Sequence, residues 1–328
     1  MKQWWTIYAV LLTAAVLAMS NTAPAQPADD AADPAWVSLD IDALSAGDQG
    51  LTLALARLDT ALRRDMGIEA DQTAVGLLDM TTGRFAMLRA DTQYYAASIP
   101  KIAILLSYFQ THPLAADELD DTTRHELGLM IKQSDNALAA KYSQIVGLTT
   151  IADILTSPTY KLYDAEHGGG LWMGKHYGPS DERNRDPLAG ESHAATVRQL
   201  LRYYLMLEQG RLVSPQASQT MREIFASPDI EHLNGKIVKG LAGRDVTILR
   251  KSGTWSDWYG DTAIVKGEGR HYVLAVLTHI VADPEKEQDT PIGEAYIVRL
   301  SRCIDDWALA GFTGEAPTGE PAPATEAP

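Results

Sequence analysis

The chain has 328 residues, 45% of them hydrophobic and 22% charged, with a formal net charge of −15. That composition is globular and long enough for one large domain or two small ones. The acidity excludes nucleic acid and anionic membrane surfaces as partners.

The sequence contains one cysteine, Cys303, so no intrachain disulfide can form. It sits in an apolar helical pattern and reads as a core residue, not a nucleophile. The start reads as a Sec-type signal peptide over residues 1–25. Lys2 supplies the positive region, residues 4–19 the apolar stretch, and Ala23-Pro24-Ala25 a small-x-small cleavage site. The apolar run is short for a membrane span. The expected location is periplasmic or secreted, with an uncleaved anchor as the alternative.

Residues 26–47 are rich in Ala, Asp and Pro and read as a linker. Leu51, Leu55, Leu58 and Leu62 recur at helical spacing up to Gly67. Residues 73–80 and 84–90 are apolar strands around Thr81-Thr82-Gly83, a hairpin. From Ser98 to about residue 230 the pattern is helical: a helix behind Ser98, one from Asp120-Asp121-Thr122 to Lys132, one over 136–146, and one over 150–155. Further helices follow Ser192 and begin at Ser214-Pro215, a capping serine with proline at the first helical position. Strands return at 246–251, 262–266 and 271–280, and Ile297, Leu300, Ile304 and Trp307 mark a closing helix. Residues 313–328 have the composition of a disordered tail. The order predicts an α+β fold over residues 48–312, with an antiparallel sheet built from both chain ends and an all-helical lobe inserted at about 98–230.

Three short motifs carry chemistry. Ser98 and Lys101 lie three residues apart at the head of a helical pattern, so both fall on one face. A serine hydroxyl needs a neighbouring base, and a partly desolvated lysine can supply one. Ser134-Asp135-Asn136 sits between two helical patterns. Lys251-Ser252-Gly253 ends an apolar strand. In this order the three resemble the motif set of the serine β-lactamase and penicillin-binding protein superfamily, class A β-lactamases in particular. The hairpin around Leu77-Leu78-Asp79 and Thr82-Gly83-Arg84, Ala194-Ala195-Thr196, and the last two strands extend the resemblance over about residues 51–309.

The resemblance implies that Ser98 attacks the carbonyl, Lys101 is its base partner, and Ser134 relays a proton to the leaving nitrogen. Asn136 would hold the substrate's side-chain amide, and Lys251 and Ser252 its carboxylate. The Ser98 and Thr254 N–H groups would form the oxyanion hole, where losing one donor costs ~3 kcal/mol. Gly253 suits a strand that a ligand approaches closely. Three departures stand out. The interval from Ser98 to Ser134 is short. No arginine follows Lys251 over 255–261, leaving Arg250 or Lys266 as substitutes. The omega-loop signature of a glutamate followed closely by Leu-Asn is absent. Glu166 is the candidate base for hydrolysing the acyl-enzyme, with an exposed loop glutamate as the plain alternative and Asp164 as a weaker candidate.

Other signals carry less. Residues 169–176 nearly match a phosphate-binding loop but end in histidine and follow no clear strand. They read as a loop pinned by Leu171, Trp172 and Met173, or as one lining the active-site mouth. The eight histidines show no metal spacing, and His193 reads as surface or capping. Trp255 and Trp258 read as core packing at a loop, with a substrate wall as the alternative. No cofactor or metal is expected. The resemblance implies a secreted, monomeric serine hydrolase of the class A β-lactamase kind, hydrolysing the β-lactam amide through an acyl-enzyme on Ser98, with a small β-lactam or peptidoglycan-derived substrate. Two alternatives stay open: a penicillin-binding D,D-peptidase or related peptidoglycan or ester hydrolase without fast β-lactam turnover, and a non-hydrolytic sensor.

Overall fold

Asp48 accepts the Leu51 N–H at 2.7 Å and opens helix α1 (Gln49–Met66), whose Leu51, Leu55, Leu58 and Leu62 form one buried stripe. The computed structural model describes residues 35–41, 47–281 and 290–317, all within one compact unit. The signal segment, most of the linker and residues 318–328 lie outside them. Within the expected linker, Ala35–Ser38 is a short 3-10 turn. Ile41 is buried, and Gln209 donates to the carbonyls of Trp36 and Leu39, so this piece is docked on the domain.

Strands β1 (Thr73–Asp79) and β2 (Phe85–Leu88) form the hairpin, and a two-residue strand β3 (Tyr94–Tyr95) follows. The helical block comprises α2 (Lys101–Thr111), the single turn α3 (Ala115–Glu118), α4 (Asp121–Lys132), α5 (Asn136–Val146) and α6 (Leu148–Thr156). Four short strands come next: β4 (Tyr163–Asp164), β5 (Gly169–Gly170), β6 (Trp172–Met173) and β7 (His193–Ala195). Helices α7 (Val197–Glu208), α8 (Pro215–Ala226) and α9 (Lys236–Gly240) lead to β8 (Thr247–Trp255), β9 (Trp258–Gly267), β10 (Arg270–His279) and the closing helix α10 (Ile292–Leu309).

The main sheet runs β2-β1-β10-β9-β8, antiparallel throughout, so both chain ends build it as expected. Alternation along β10 feeds two cores. Tyr272, Leu274 and Val276 join α1 and α10, while Val273, Ala275 and Leu277 join the helical side. A smaller sheet, β3-β7-β6, lies beside the main one among the described residues.

Local differences from the sequence reading have physical causes. The α7 cap is Thr196, which accepts from the Gln199 N–H, and Ser192 stands outside the helix. Strand β8 does not stop at Gly253. It runs on to Trp255 because Thr254 and Trp255 pair with Tyr259 and Trp258 across a tight turn. The tryptophans therefore sit on strands, Trp255 66% exposed. Cys303 is buried, in keeping with a core role.

Candidate active site

Four elements meet at one cleft. Ser98 is not in the helix but in the turn before it. The bonds Lys101 N–H to Ser98 O and Ala103 N–H to Pro100 O are three-residue steps, so Ser98 and Lys101 still share a side. Pro100, lacking an N–H, sets the helix start. Ala97 precedes the serine in the left-handed region, φ 48°. Such backbone in a non-glycine residue is held by its surroundings. Here the Ala96 N–H donates to His193 O at 2.9 Å, and Tyr177 Oη donates to Ala97 O at 2.9 Å.

Opposite lies Gly253. A Cβ there would come within 2.3 Å of Ala96 O and 3.0 Å of Ser98 N, so only glycine lets β8 pass this close to the turn. The Ser98 N–H and hydroxyl take no partner among the described residues.

Lys101 is fully buried and donates to Ser134 O, to Ser134 Oγ at 3.0 Å and to Asn136 Oδ1 at 2.7 Å. Burial pushes its ammonium down to about 7, with the nearby Asp135 carboxylate pulling the other way. Ser134 sits at φ 58° between α4 and α5, in a left-handed corner that turns its side chain toward both lysines. Lys251 reaches the same hydroxyl at 2.9 Å and Ser252 O at 2.8 Å. Burial, then the charges of Lys101, Arg250 and Lys236, drive the Lys251 ammonium well below its ordinary value. A hydroxyl has two acceptor positions and one proton. Both lysines occupy the acceptor side of Ser134, so its own proton is the one left to give. Asn136 likewise accepts from Lys101 and keeps its NH₂ as a donor.

The cation that backs the strand is one the sequence reading missed. Lys236, at the head of α9, donates to Gly253 O at 2.7 Å, Thr254 Oγ1 at 2.6 Å and Gly260 O at 3.2 Å. Burial lowers it to about 8, the Asp261 carboxylate opposing. The two substitutes considered from sequence are engaged elsewhere. Arg250 is paired with buried Asp261 at 2.7 Å and donates to Leu233 O and Gly235 O, and Lys266 pairs with Glu208 at 2.7 Å. A lysine fifteen places before the motif, on a different element, gave no local signal.

The cleft has a volume of about 390 Å³ and is lined by Ser98, Asn136 and Thr254 at one end and by Tyr95, Lys175, Tyr177 and His193 among others. The segment that resembled a phosphate loop thus meets both readings. Leu171, Trp172 and Met173 are buried, and the residues after them reach the mouth. Tyr177 lays its ring over Lys101 Nζ, 4.5 Å from the centroid. Burial raises its phenol well above the ordinary value. His193 is not a surface residue: it is buried against Tyr177, with ring centroids 4.6 Å apart. Burial takes its imidazole down to about 4, the Lys175 and Lys101 charges adding to this against a contact with the Lys175 backbone.

Glu166 is not brought to this cleft. It lies exposed in the 3-10 turn Ala165–His167 between β4 and β5, its N–H bonded to Asp164 Oδ1 at 3.0 Å. The Asp164 carboxylate is taken by His167 at 2.9 Å. Gly168 seats that turn against Asp91 O, away from the cleft lining. Among the described residues no group of three His, Cys, Asp or Glu side chains is placed to hold a metal, and no helix is long and apolar enough to cross a membrane.

Fold and cleft together define a β-lactamase-like serine hydrolase. The model described as the β-lactamase enzyme family matches residues 115–307, and the chain belongs to that family. The match covers Ser134–Asn136 and Lys251–Gly253 but begins after Ser98 and Lys101. Solved structures with similar folds include a β-lactamase from Sphaerobacter thermophilus (17% identity, 76% of this chain and 94% of that one, TM-score 0.58). PBP-A is similar at 19% identity over 76% and 95% of the two chains, TM-score 0.56. A variant of the reconstructed class A β-lactamase of the last common ancestor of Gram-negative bacteria matches at 20% identity over 77% and 98%, TM-score 0.59. At these identities the likeness establishes the fold. No curated protein matches.

Proposed function

We propose that this chain is an exported serine hydrolase that opens β-lactam amides, or related peptide or ester bonds of peptidoglycan-derived substrates, through an acyl-enzyme on Ser98. The observation that carries the reading is the convergence of Lys101 and Lys251 on the Ser134 hydroxyl, beside the Ser98 turn. Neutral Lys101 takes the Ser98 proton as Oγ attacks the carbonyl carbon. The N–H groups of Ser98 and Thr254 hold the oxyanion. The C–N bond breaks as Ser134 gives its proton to the leaving nitrogen, and a lysine ammonium restores that proton. Ser252, Thr254 and Lys236, with Lys251, supply donors and positive charge for a substrate carboxylate, on a protein that is otherwise strongly acidic.

Within this reading, one observation favours slow hydrolysis of the acyl-enzyme. The side chain stacked on Lys101 is Tyr177, while Glu166 is out on its hairpin. The Tyr177 phenol donates to Ala97 O and burial keeps it protonated, so it takes no proton from water. Lys101 is then the base for both half-reactions, and the adduct outlives its formation, as in a penicillin-binding hydrolase. A mutant of PBP-A is described as an acyl-enzyme complex with penicillin G, the kind of adduct sought here. The test is labelling with a fluorescent penicillin: wild type takes the label covalently and Ser98→Ala does not. Label on another residue of Ser98→Ala would remove Ser98 as nucleophile.

A further inference from the structure

The cations around Ser98 all have partners. Lys101 and Lys236 each hold three acceptors, Lys251 two, and Arg250 its buried aspartate. Lys175 differs. It lines the same cleft, is half-buried, and its ammonium has no hydrogen-bond or ion-pair partner among the described residues. Acidic side chains are near in sequence, but Glu182 is bonded to His176 at 3.1 Å.

The backbone under Lys175 is fixed. The Gly174 N–H donates to Ser192 O at 2.7 Å, Gly174 O accepts from Asn184 at 2.8 Å, and a Cβ on Gly174 would lie 2.0 Å from that asparagine's carbonyl oxygen. His176, next along, is buried and bonded to Ser143 Oγ at 2.8 Å. Lys175 therefore extends from a rigid base.

A second group on the same wall is also unsatisfied. His193 is 4% exposed, its Nδ1 faces Ser192 Oγ at 3.1 Å, and its Nε2 is buried without a hydrogen-bond partner. Buried polar groups are ordinarily paired, and an orphan in a cleft marks a place for a ligand atom. In the tautomer with its proton on Nε2, that nitrogen is a donor. An ammonium without a partner and a buried imidazole, itself in contact with the Lys175 backbone, share a wall that lacks carboxylates among its described lining residues, the Glu191 charge reaching Tyr95 from outside it. Tyr95, Tyr177 and Trp255 supply aromatic surface around them.

We infer that Lys175 and His193 form an anion subsite for the acyl half of the substrate. The preferred substrate would then be dianionic: one carboxylate beside the leaving nitrogen, held near Lys236 and Thr254, and a second on the acyl side chain, held by Lys175. This rests on the reading of the site given under Proposed function and adds a substrate class to it.

The test uses two penicillins that differ by one carboxylate: benzylpenicillin, and carbenicillin, which carries the extra carboxylate on its acyl side chain. Second-order acylation constants are measured for the full-length protein. A half-buried ion pair predicts that carbenicillin reacts about three- to tenfold faster. In Lys175→Gln the ratio falls to about one, and in Lys175→Arg, which keeps the charge, it is retained. The preference also shrinks as salt is raised. A ratio of one or below in wild type overturns the inference, as does a ratio that survives in Lys175→Gln. Acylation by neither penicillin overturns the β-lactam reading of the site and the inference together. Acylation by both without preference overturns the inference alone.

Discussion

Tyr177 ties Lys101 to the backbone that carries Ser98: its ring lies 4.5 Å from Lys101 Nζ and its hydroxyl donates to the carbonyl of Ala97, the residue before the serine. The ring face favours the charged lysine, opposing burial. Tyr177→Phe keeps the ring and loses one hydrogen bond, so acylation should slow by about threefold to tenfold. Tyr177→Leu also loses the cation–π contact, and the pH profile of acylation should move down by up to about one unit. A profile unmoved in Tyr177→Leu would show that the ring does not act on Lys101.

Lys101 must be neutral to take a proton, and burial lowers it to about 7. Acylation should therefore rise with pH through about 7 and level off above. Measured from pH 5.5 to 9 with a penicillin, a flat profile would contradict the role of Lys101 as base. The same shift bears on stability. The unfolded lysine titrates near ~10.4, so between the folded and unfolded values the unfolded state binds more protons, and stability rises with pH over that window. Lys251 is shifted in the same direction. The urea midpoint should be higher at pH 9 than at pH 7, and Lys101→Met should flatten that rise.

Lys236 holds the strand that holds the substrate. Lys236→Met should lower second-order acylation by about tenfold, a loss of about 1.4 kcal/mol, and also cost thermal stability, because Gly253 O, Gly260 O and Thr254 Oγ1 lose their donor. Lys236→Arg should recover part of the rate. Equal acylation in wild type and Lys236→Met would place the carboxylate elsewhere.

Gly253→Ala tests the closeness of β8 to the Ser98 turn. The new methyl would meet Ala96 O, which is backbone and cannot swing aside. The expected result is a lower melting temperature, by about 1–3 kcal/mol of stability, and loss of acylation. A variant with normal labelling would show that the strand can stand off.

Much of this was legible in the sequence, and what was not has a physical pattern. Helix starts were readable where a side chain caps them, as at Asp120 and Ser214. The sheet was readable because strands buried on both faces are continuous apolar runs, as in β1. Ser98, Lys101, Ser134, Asn136 and Lys251 are each read from two neighbours, and the fold brings them to one cleft. Lys236 and Tyr177 were not legible as site residues, and Lys175 only as part of a loop that could line the mouth, because their positions depend on how α9 and the 174–192 loop pack, which no short window encodes. His193 misled because a histidine before a helix reads as a cap, whereas pairing of β7 with β3 and β6 draws it inside. Glu166 had plausible spacing along the chain, but the β4–β5 hairpin turns it to solvent.

The most direct test is intact-mass spectrometry of the protein over time with benzylpenicillin. The account predicts one penicillin adduct per chain, absent in Ser98→Ala, that persists long after it forms and has the same lifetime in Glu166→Gln. An adduct that appears and quickly vanishes while hydrolysed penicillin accumulates would contradict it, and a slower decay in Glu166→Gln would hand the deacylating role to that residue.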